Sequence, residues 1–481
     1  MFWIFALLVM LAPLPFGLVH GLGQALYACL VLALVAGHSL TKLPRGPLVP
    51  VAVVAPEAAA LGLLGLVLGL QLLPLAPAAW VHPLWPESAA ALELTGRKNI
   101  YPAPGAATES MLRLLTYVGV FWLAMQWGRS RIGARRLLGA VVVAGTLYAL
   151  YGLIDNFGDF NRVLWVEKSV AGSDALSSTL INRNNYATLV GFALLCAVGL
   201  YLAGLNQALA SGRSGRDRVV HILHQAFGHG APLLACVLVL LTALFLTKSR
   251  AGVSSTLFAL FFLLIALGLL RRIDGLTAKI FAMVLPLALT ATFVLSGEGW
   301  QLRLAATDLD REHRLVVYNE TWRAIQTSPW VGHGPGSYAQ LFPMYADRQS
   351  NRYPKAHNDW LETIFDLGVP ASLLWFSLLA GLAARCLTGI FRRHRDRVYP
   401  AVAASACLLA GLHALADFSL QIPAVAITFA LLLGVGVSQS RSSAPAHGLN
   451  AQGDGPFFFE YTQANQAKHT GSSVIDPRSP L

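Results

Sequence analysis

Long apolar segments recur along the chain and limit its fold more than any other feature. Windows of about 19 residues place them near residues 2–19, 22–40, 48–73, 113–127, 137–154, 185–206, 231–247, 253–270, 279–296, 367–390, 401–417 and 423–438. A backbone inside lipid must pair its own N–H and C=O groups, which a helix does within one segment. The pattern therefore predicts an all-α, polytopic transmembrane helix bundle with about 12 spans of a hydrocarbon layer about 30 Å thick.

Composition excludes a soluble enzyme. Of the 481 residues, 55% are hydrophobic and 12% are charged, whereas charged residues make up about 25% of a soluble domain. The net charge of +11 comes from Lys and Arg in short loops, where they orient a membrane protein, so nucleic acid is not an expected partner. The chain has five cysteines, and their spacing suits neither disulfides nor a zinc site. They are Cys29, Cys196, Cys236, Cys386 and Cys407.

Alternate loops carry the cations, and this sets the expected orientation. Lys and Arg cluster near residues 42–45, 129–136, 213–218, 271–279 and 392–397. The positive-inside rule makes these loops cytoplasmic, so both termini are expected to face the cytoplasm. The opposite side then holds most of the sequence outside the spans, in segments near 74–112, 155–184, 247–252, 297–366 and 418–422.

Residues 297–366 form the longest segment between spans, and we expect an ordered loop inserted in a membrane domain that covers residues 1–439. Loops of this length are usually functional or disordered. This one is rich in Trp and Tyr and shows helical patterning over residues 311–326, so two or three helices are expected, separated by a turn over 332–336. The Ser-, Gly- and Pro-rich residues 440–481 are expected to form a disordered cytoplasmic tail.

Polar clusters on the outer side are candidates for chemistry, because polar groups near a membrane are costly unless they face a protein interior or a cavity. The first is a short turn over residues 247–252, where Lys248 and Arg250 favour an anionic ligand. The alternative is that both cations extend to lipid headgroups. The second contains Arg314 and, one helical turn later, Tyr318; its spacing alone favours an ordinary solvated helix.

The third cluster begins at His357, at the start of the tenth span. A histidine there can take a proton from a reacting hydroxyl near neutral pH. Alternatively, Asn358 and the acidic residues after it cap the N-terminus of a helix. Near the outer end of the eleventh span, His413 and Asp417 lie one turn apart and are also functional candidates. Glu57, in the third span, is expected to pack against a cation or a backbone group.

Five short motifs carry a family likeness. They are NRNNYA at 182–187, SRAG at 249–252, PWVGHGPGSY at 329–338, HNDWLETIFDLGVP at 357–370 and DFSLQIPA at 417–424. As a set they resemble the O-antigen ligase and O-antigen polymerase superfamily of bacterial inner-membrane glycan transferases. The family pattern of a His-Asn pair, nine residues and Gly-x-x-Gly is matched by His357, Asn358 and Gly368, whereas Ala371 replaces the final glycine.

The resemblance implies a glycosyltransferase C-type fold in the bacterial inner membrane, with the active site facing the periplasm. Such enzymes move a glycan from a polyprenyl (undecaprenyl) diphosphate carrier to an acceptor hydroxyl. An acceptor on the lipid A core makes the enzyme a ligase, which we favour, and a second lipid-linked glycan makes it a polymerase. By resemblance, Arg250 and Arg314 clamp the diphosphate and His357 is the base, with inversion at the sugar and no cofactor. Expected substrate-binding residues are Arg183, Lys248, Tyr318, Asn358 and Asp417.

Three alternatives remain open at this point. Asp308 and Asp310 resemble a paired-carboxylate motif for divalent metal, but Arg311 competes for these carboxylates, so no metal is expected. A transporter would also have many spans, but here most polar groups gather at the outer face rather than the midplane. The third alternative is a non-catalytic scaffold in a polysaccharide export assembly.

Overall fold

Helices form nearly all of the regular structure in the computed structural model. It describes residues 1–14, 16–42, 49–73, 77, 81–82, 84–93, 99–158, 162–167, 175–209, 215–268, 300–347, 354–393 and 395–441. A two-stranded antiparallel hairpin pairs Arg162–Val163 with Val166–Glu167. The predicted ninth span, 279–296, and the predicted tail beyond residue 441 lie outside the described residues.

Most of the long helices follow the apolar segments of the sequence. In chain order they are α1 (Phe2–Leu11), α2 (Gly21–Lys42), α3 (Ala55–Leu72), α4 (Leu84–Leu92), α5 (Pro104–Trp127), α6 (Arg131–Phe157), α7 (Arg183–Leu209), α8 (Gly215–Leu223), α9 (Ala231–Leu246), α10 (Arg250–Gly268), α11 (Trp300–Thr327), α12 (Tyr338–Leu341), α13 (Asp359–Arg392), α14 (Val398–His413) and α15 (Pro423–Gln439).

Several helices have the length and apolarity of a membrane span. Within the described residues these are Gly21–Lys42, Val51–Leu72, Arg131–Phe157, Arg183–Leu205, Arg250–Gly268 and Asp359–Arg392. Shorter apolar helices are Phe2–Leu11, Ala231–Leu246, Val398–His413 and Pro423–Gln439. The fold is that of an all-α, multi-pass membrane protein, and the count of about 12 crossings stays a prediction.

Two span boundaries differ from the prediction for identifiable reasons. The first span, predicted over 2–19, is α-helical only over Phe2–Leu11, because Pro13 precedes a tight turn at Gly17, whose φ is +69°. The fourth, predicted over 113–127, begins at Pro104. Its outer part contains Glu109 and Arg113, which lower its hydropathy but pair with each other at 3.3 Å.

Helix α15 is the central helix of the bundle. It is buried along its whole length and packs against α5, α7, α13 and α14. A Cβ atom built on Gly434 would lie 2.4 Å from the carbonyl oxygen of Phe121, and one on Gly436 would lie 2.2 Å from the Cβ of Ala403. Small residues thus let the backbones approach closely, as is common in membrane bundles.

Helix α13 is broken at Gly368, and the predicted turn over 332–336 packs against the break. Gly368 has φ +74° and ψ 168°, and Pro370 follows it. The amide of Val369 donates to the carbonyl of Pro329 at 2.8 Å, and the amide of His333 donates to that of Phe365 at 2.9 Å. The loop therefore satisfies backbone groups that the break would leave unpaired. As predicted, helices (α11 and α12) flank this glycine turn.

One further interpretation of the sequence is confirmed. Glu57 packs against a cation: its Oε1 lies 2.5 Å from Nε of Arg385, and its Oε2 lies 3.0 Å from Nη2. This pair joins α3 to α13. All five cysteines are free thiols.

Candidate functional site

The loop between α14 and α15 forms the centre of the candidate site. Its Asp417 is fully buried, with 0% of its side chain exposed. The Oδ1 atom accepts a hydrogen bond from the amide of Phe418 at 2.8 Å. The Oδ2 atom accepts one from the side-chain amide of Asn184, near the first residue of α7. A buried carboxylate is thus held by donors on both oxygens, as burial of a charge requires.

His357 faces this carboxylate. Its Nδ1 lies 3.5 Å from Oδ1 of Asp417, and 23% of the imidazole side chain is exposed. The ring packs edge-on against Phe418, with 5.1 Å between centroids. The next residue, Asn358, accepts a hydrogen bond from the amide of Leu361 at 3.1 Å, so it caps α13 as the alternative interpretation predicted.

Helix α11 bonds to the backbone at both sides of this pair, at His357 and at the residue before Asp417. Arg314 Nη1 donates to the carbonyl oxygen of Ala416 at 3.2 Å. One turn later, the hydroxyl of Tyr318 donates to the carbonyl oxygen of His357 at 3.0 Å. Arg314, Tyr318, His357 and Asp417 therefore meet, although they come from distant parts of the sequence.

A second layer of polar groups joins the segment around His357 to the loop after Asp417. Gln421 Nε2 donates to Oδ1 of Asp359 at 2.9 Å, and Gln421 Oε1 accepts from Lys355. Lys355 Nζ also pairs with the buried Glu362 at 2.9 Å. These contacts hold residues 355–362 against residues 417–421.

His413 is fully buried, and hydroxyl groups surround its Nδ1. Ser419 Oγ lies 3.0 Å from that nitrogen, and Thr188 Oγ1 lies 3.2 Å from it. Ser419 Oγ in turn donates to Oδ1 of Asn185 at 3.0 Å. The geometry gives His413 a packing role between α7, α14 and the loop.

The remaining predicted cations lie on neighbouring helix ends. Lys248 and Arg250 are exposed in the turn between α9 and α10, and Ser249 caps α10 through a hydrogen bond of 3.1 Å from the amide of Gly252. A Cβ built on Gly252 would lie 2.4 Å from the Cβ of Ala187. The start of α10 therefore packs against the first turns of α7, the helix that also bonds Asp417 and begins at the exposed Arg183.

The charges in the site keep the carboxylate ionised. Burial raises the pKa of Asp417, but the hydrogen bond and charge of His357, the amide of Phe418 and the charge of His413 outweigh it, and the pKa lies below its ordinary value. Burial also raises the pKa of Tyr318, so its hydroxyl stays protonated near neutral pH. Asp417 can therefore stabilise a positive charge on the His357 ring.

Among the residues whose side chains are described, no group of three or more His, Cys, Asp or Glu could hold a metal ion. Asp308 and Asp310 lie in α11, but their side chains lie outside that described set.

Sequence reasoning missed several residues that build the site. Asn184 is adjacent to Arg183 within the NRNNYA motif, and Gln421 lies in the DFSLQIPA motif. Lys355 and Glu362 flank the His-Asn pair. The motifs were the only signal for Asn184 and Gln421, because nothing in the local pattern shows that their partners lie elsewhere in the chain, and Lys355 lies outside the motifs.

The fold and the site together define a multi-pass membrane protein with a His-Asp pair and several cations at one end of its helix bundle. Residues 235–376 match the family described as O-antigen ligase. The match confirms the resemblance to the O-antigen ligase and polymerase superfamily and indicates glycan transfer of that type. It covers Arg250, Arg314 and His357, whereas Arg183 and Asp417 lie outside it. No curated protein matches the chain.

Proposed function

We propose that the protein moves a glycan from a polyprenyl (undecaprenyl) diphosphate carrier to an acceptor hydroxyl at the periplasmic face of the bacterial inner membrane. The observation that carries this proposal is the contact of His357 Nδ1 with the buried Asp417, 3.5 Å away. Beside this pair, the guanidinium of Arg314 on α11 bonds to the carbonyl of Ala416, in the loop that contains Asp417. A base and a cation are the two groups that transfer from a diphosphate requires. The family match supports the same reaction class.

His357 is proposed as the general base. With Nδ1 directed at Asp417, Nε2 is the nitrogen that takes the proton of the acceptor hydroxyl, and the carboxylate stabilises the resulting imidazolium. The acceptor oxygen forms a bond to the anomeric carbon while the bond from that carbon to the phosphate oxygen breaks. The diphosphate carrier leaves with the bonding electrons, and one displacement inverts the anomeric centre.

Arg314 and Arg250 are proposed to stabilise the leaving diphosphate. A guanidinium has five N–H donors in a planar fork that matches phosphate oxygens. Arg314 donates one hydrogen bond, from Nη1 to the carbonyl of Ala416, and this contact fixes the guanidinium beside the His-Asp pair. Arg183 and Lys248 extend the cationic surface along the ends of α7 and α10. Tyr318 and Asn358 are proposed to contact substrate at the edge of the same site.

The test is transfer from a lipid-linked glycan in purified membranes. His357→Ala is expected to lower the rate by roughly 100-fold or more, and Arg314→Gln by a similar factor. His224→Ala, an exposed histidine after α8, and Arg323→Gln, an exposed arginine on α11, are the matched controls. Near-normal transfer by His357→Ala would refute the assignment of the base.

The same assay separates the alternatives. Because guanidinium groups supply the positive charge, transfer is expected to persist in excess EDTA and in Asp308→Ala and Asp310→Ala. Loss of activity in all three would establish the metal-dependent mechanism. Adding the lipid-linked repeat unit with and without a lipid A core acceptor separates ligase from polymerase, since a product ladder without the core requires polymerisation. We favour the ligase.

A further inference from the structure

We infer that Asn184 is a positioning residue: its side-chain amide holds the carboxylate of Asp417 in the plane in which it supports His357. The inference rests on the proposed function, because it gives Asn184 a role in the His357 mechanism. Asn184 touches neither the proposed donor nor the acceptor in this scheme and acts only through Asp417.

The contacts of the carboxylate carry the inference. Oδ1 of Asp417 accepts from the amide of Phe418 at 2.8 Å and lies 3.5 Å from Nδ1 of His357. Oδ2 accepts from Nδ2 of Asn184. The torsion that turns an aspartate carboxylate has broad minima, so one donor on each oxygen is what fixes its plane. Without Asn184, only Oδ1 is held.

Asn184 is itself held in place. Its backbone amide donates to the side-chain oxygen of Asn182 at 2.8 Å, which is the local turn that starts α7. The next residue, Asn185, accepts from Ser419 at 3.0 Å, two residues beyond Asp417. The start of α7 and the loop are therefore joined at two adjacent points, and Asn184 is the one that reaches the carboxylate.

The charges around Asp417 make the effect of a substitution predictable. His357 faces it from the start of α13, His413 faces it from α14, and α11 brings Arg314 and Tyr318 to the neighbouring carbonyl groups. At the point of contact, α7 presents the neutral amide of Asn184. An aspartate there would place two carboxylates together, and such a pair holds one proton to a higher pH than a single carboxylate does.

The experiment compares N184L, N184D and N185D with the unaltered enzyme by measuring kcat and the donor KM across pH. N184L removes the donor while keeping the number and branching of the side-chain heavy atoms, and it is expected to lower kcat roughly 10- to 100-fold, with little change in KM. N184D is expected to lower kcat and also to move the acid limb of its pH profile to higher pH. N185D makes the same change of charge one residue away and keeps an oxygen for Ser419, so its acid limb is expected to stay in place.

The outcomes are decisive in both directions. A kcat for N184L within about 2-fold of the unaltered enzyme, or an unshifted pH profile for N184D, would overturn the inference. An equal shift in N185D would overturn it too, because the effect would then come from added charge anywhere at the start of α7. If N184L does not fold, the nearly isosteric N184D still provides the pH test. Full transfer by His357→Ala would instead refute the proposed function, whereas an inactive His357→Ala beside normal Asn184 variants would refute only this inference.

Discussion

The break in α13 provides the sharpest test of the fold. Gly368 has φ +74° and ψ 168°, a region of backbone conformation that is essentially restricted to glycine. A Cβ built on it would lie 2.8 Å from the amide nitrogen of Gly332 and 2.8 Å from the carbonyl of Trp330. These are backbone atoms, which cannot move aside as the end of a flexible side chain can. We therefore expect Gly368→Ala to be strongly destabilising.

Two costs add up in this variant. The conformation itself costs about 1–3 kcal/mol for a residue other than glycine, and forcing a methyl group into a packed site costs about 1–3 kcal/mol more. The free energy of unfolding should therefore fall by about 2–6 kcal/mol. Gly332→Ala should be comparable, since its φ is +69° and its Cβ would lie 2.4 Å from the amide nitrogen of Gly368. Because both changes disrupt one contact, their effects should not add.

Thermal unfolding of the purified protein in detergent, followed by tryptophan fluorescence, measures the effect. Gly65→Ala is the matched control, because Gly65 lies inside the apolar α3 with no other atom within 4 Å of its built Cβ. That substitution should leave the melting temperature unchanged or raise it, since alanine favours a helix. A melting temperature for Gly368→Ala within about 2 °C of the control would refute the backbone contact.

Three further predictions follow from single contacts. Arg385→Met leaves the carboxylate of Glu57 without its cation and should lower the free energy of unfolding by about 1–3 kcal/mol. This cost is smaller than for a fully buried pair because Arg385 is partly exposed. Adding Glu57→Leu to the same chain should recover part of the loss in melting temperature. The pKa of Asp417 lies below its ordinary value. The ionised carboxylate therefore contributes stability above about pH 4, and this contribution is lost as the pH falls through the folded-state pKa. The melting temperatures of the unaltered protein and Asp417→Asn should converge in strong acid. Ser249→Ala removes the cap of α10 and should cost about 1 kcal/mol, seen as faster hydrogen exchange at the amide of Gly252, which donates to Ser249 Oγ.

Hydropathy alone predicted where most helices lie, because lipid imposes one requirement on every segment that crosses it. It failed where polar residues satisfy one another, as Glu109 and Arg113 do in the outer part of α5. It also missed the break at Gly368, since a period of apolar residues does not report φ. The family pattern marks that glycine, and the structure explains why Ala371 is acceptable three residues later: within α13 only Gly368 leaves the helical conformation.

The candidate site was predictable only in part. His357, Arg314 and Asp417 could be selected as polar residues near the ends of apolar segments. The family resemblance implies that Arg314 and His357 share one site, but the local pattern does not show that these residues meet, because this depends on which helix ends pack together. Asn184 and Asp417 are 233 positions apart, and neither sequence neighbourhood identifies the other. Neither local sequence reports such a contact, so the sequence predicts Asp417 as a substrate-binding residue and does not predict its contact with His357.

The backbone of His357 connects the stability of this end of the bundle to its chemistry. Its φ of +51° is unfavourable for a residue with a side chain and persists only where the surroundings hold it. The amide of Ala356 donates to the buried Glu362 at 3.0 Å, the carbonyl of His357 accepts from Tyr318, and the amide of Asp359 donates to the carbonyl of Ala414 at 2.9 Å. Three residues of one short segment are thus anchored to α13, α11 and the loop after α14, respectively. The contacts that fold this end of the molecule are therefore the ones that place the imidazole beside Asp417.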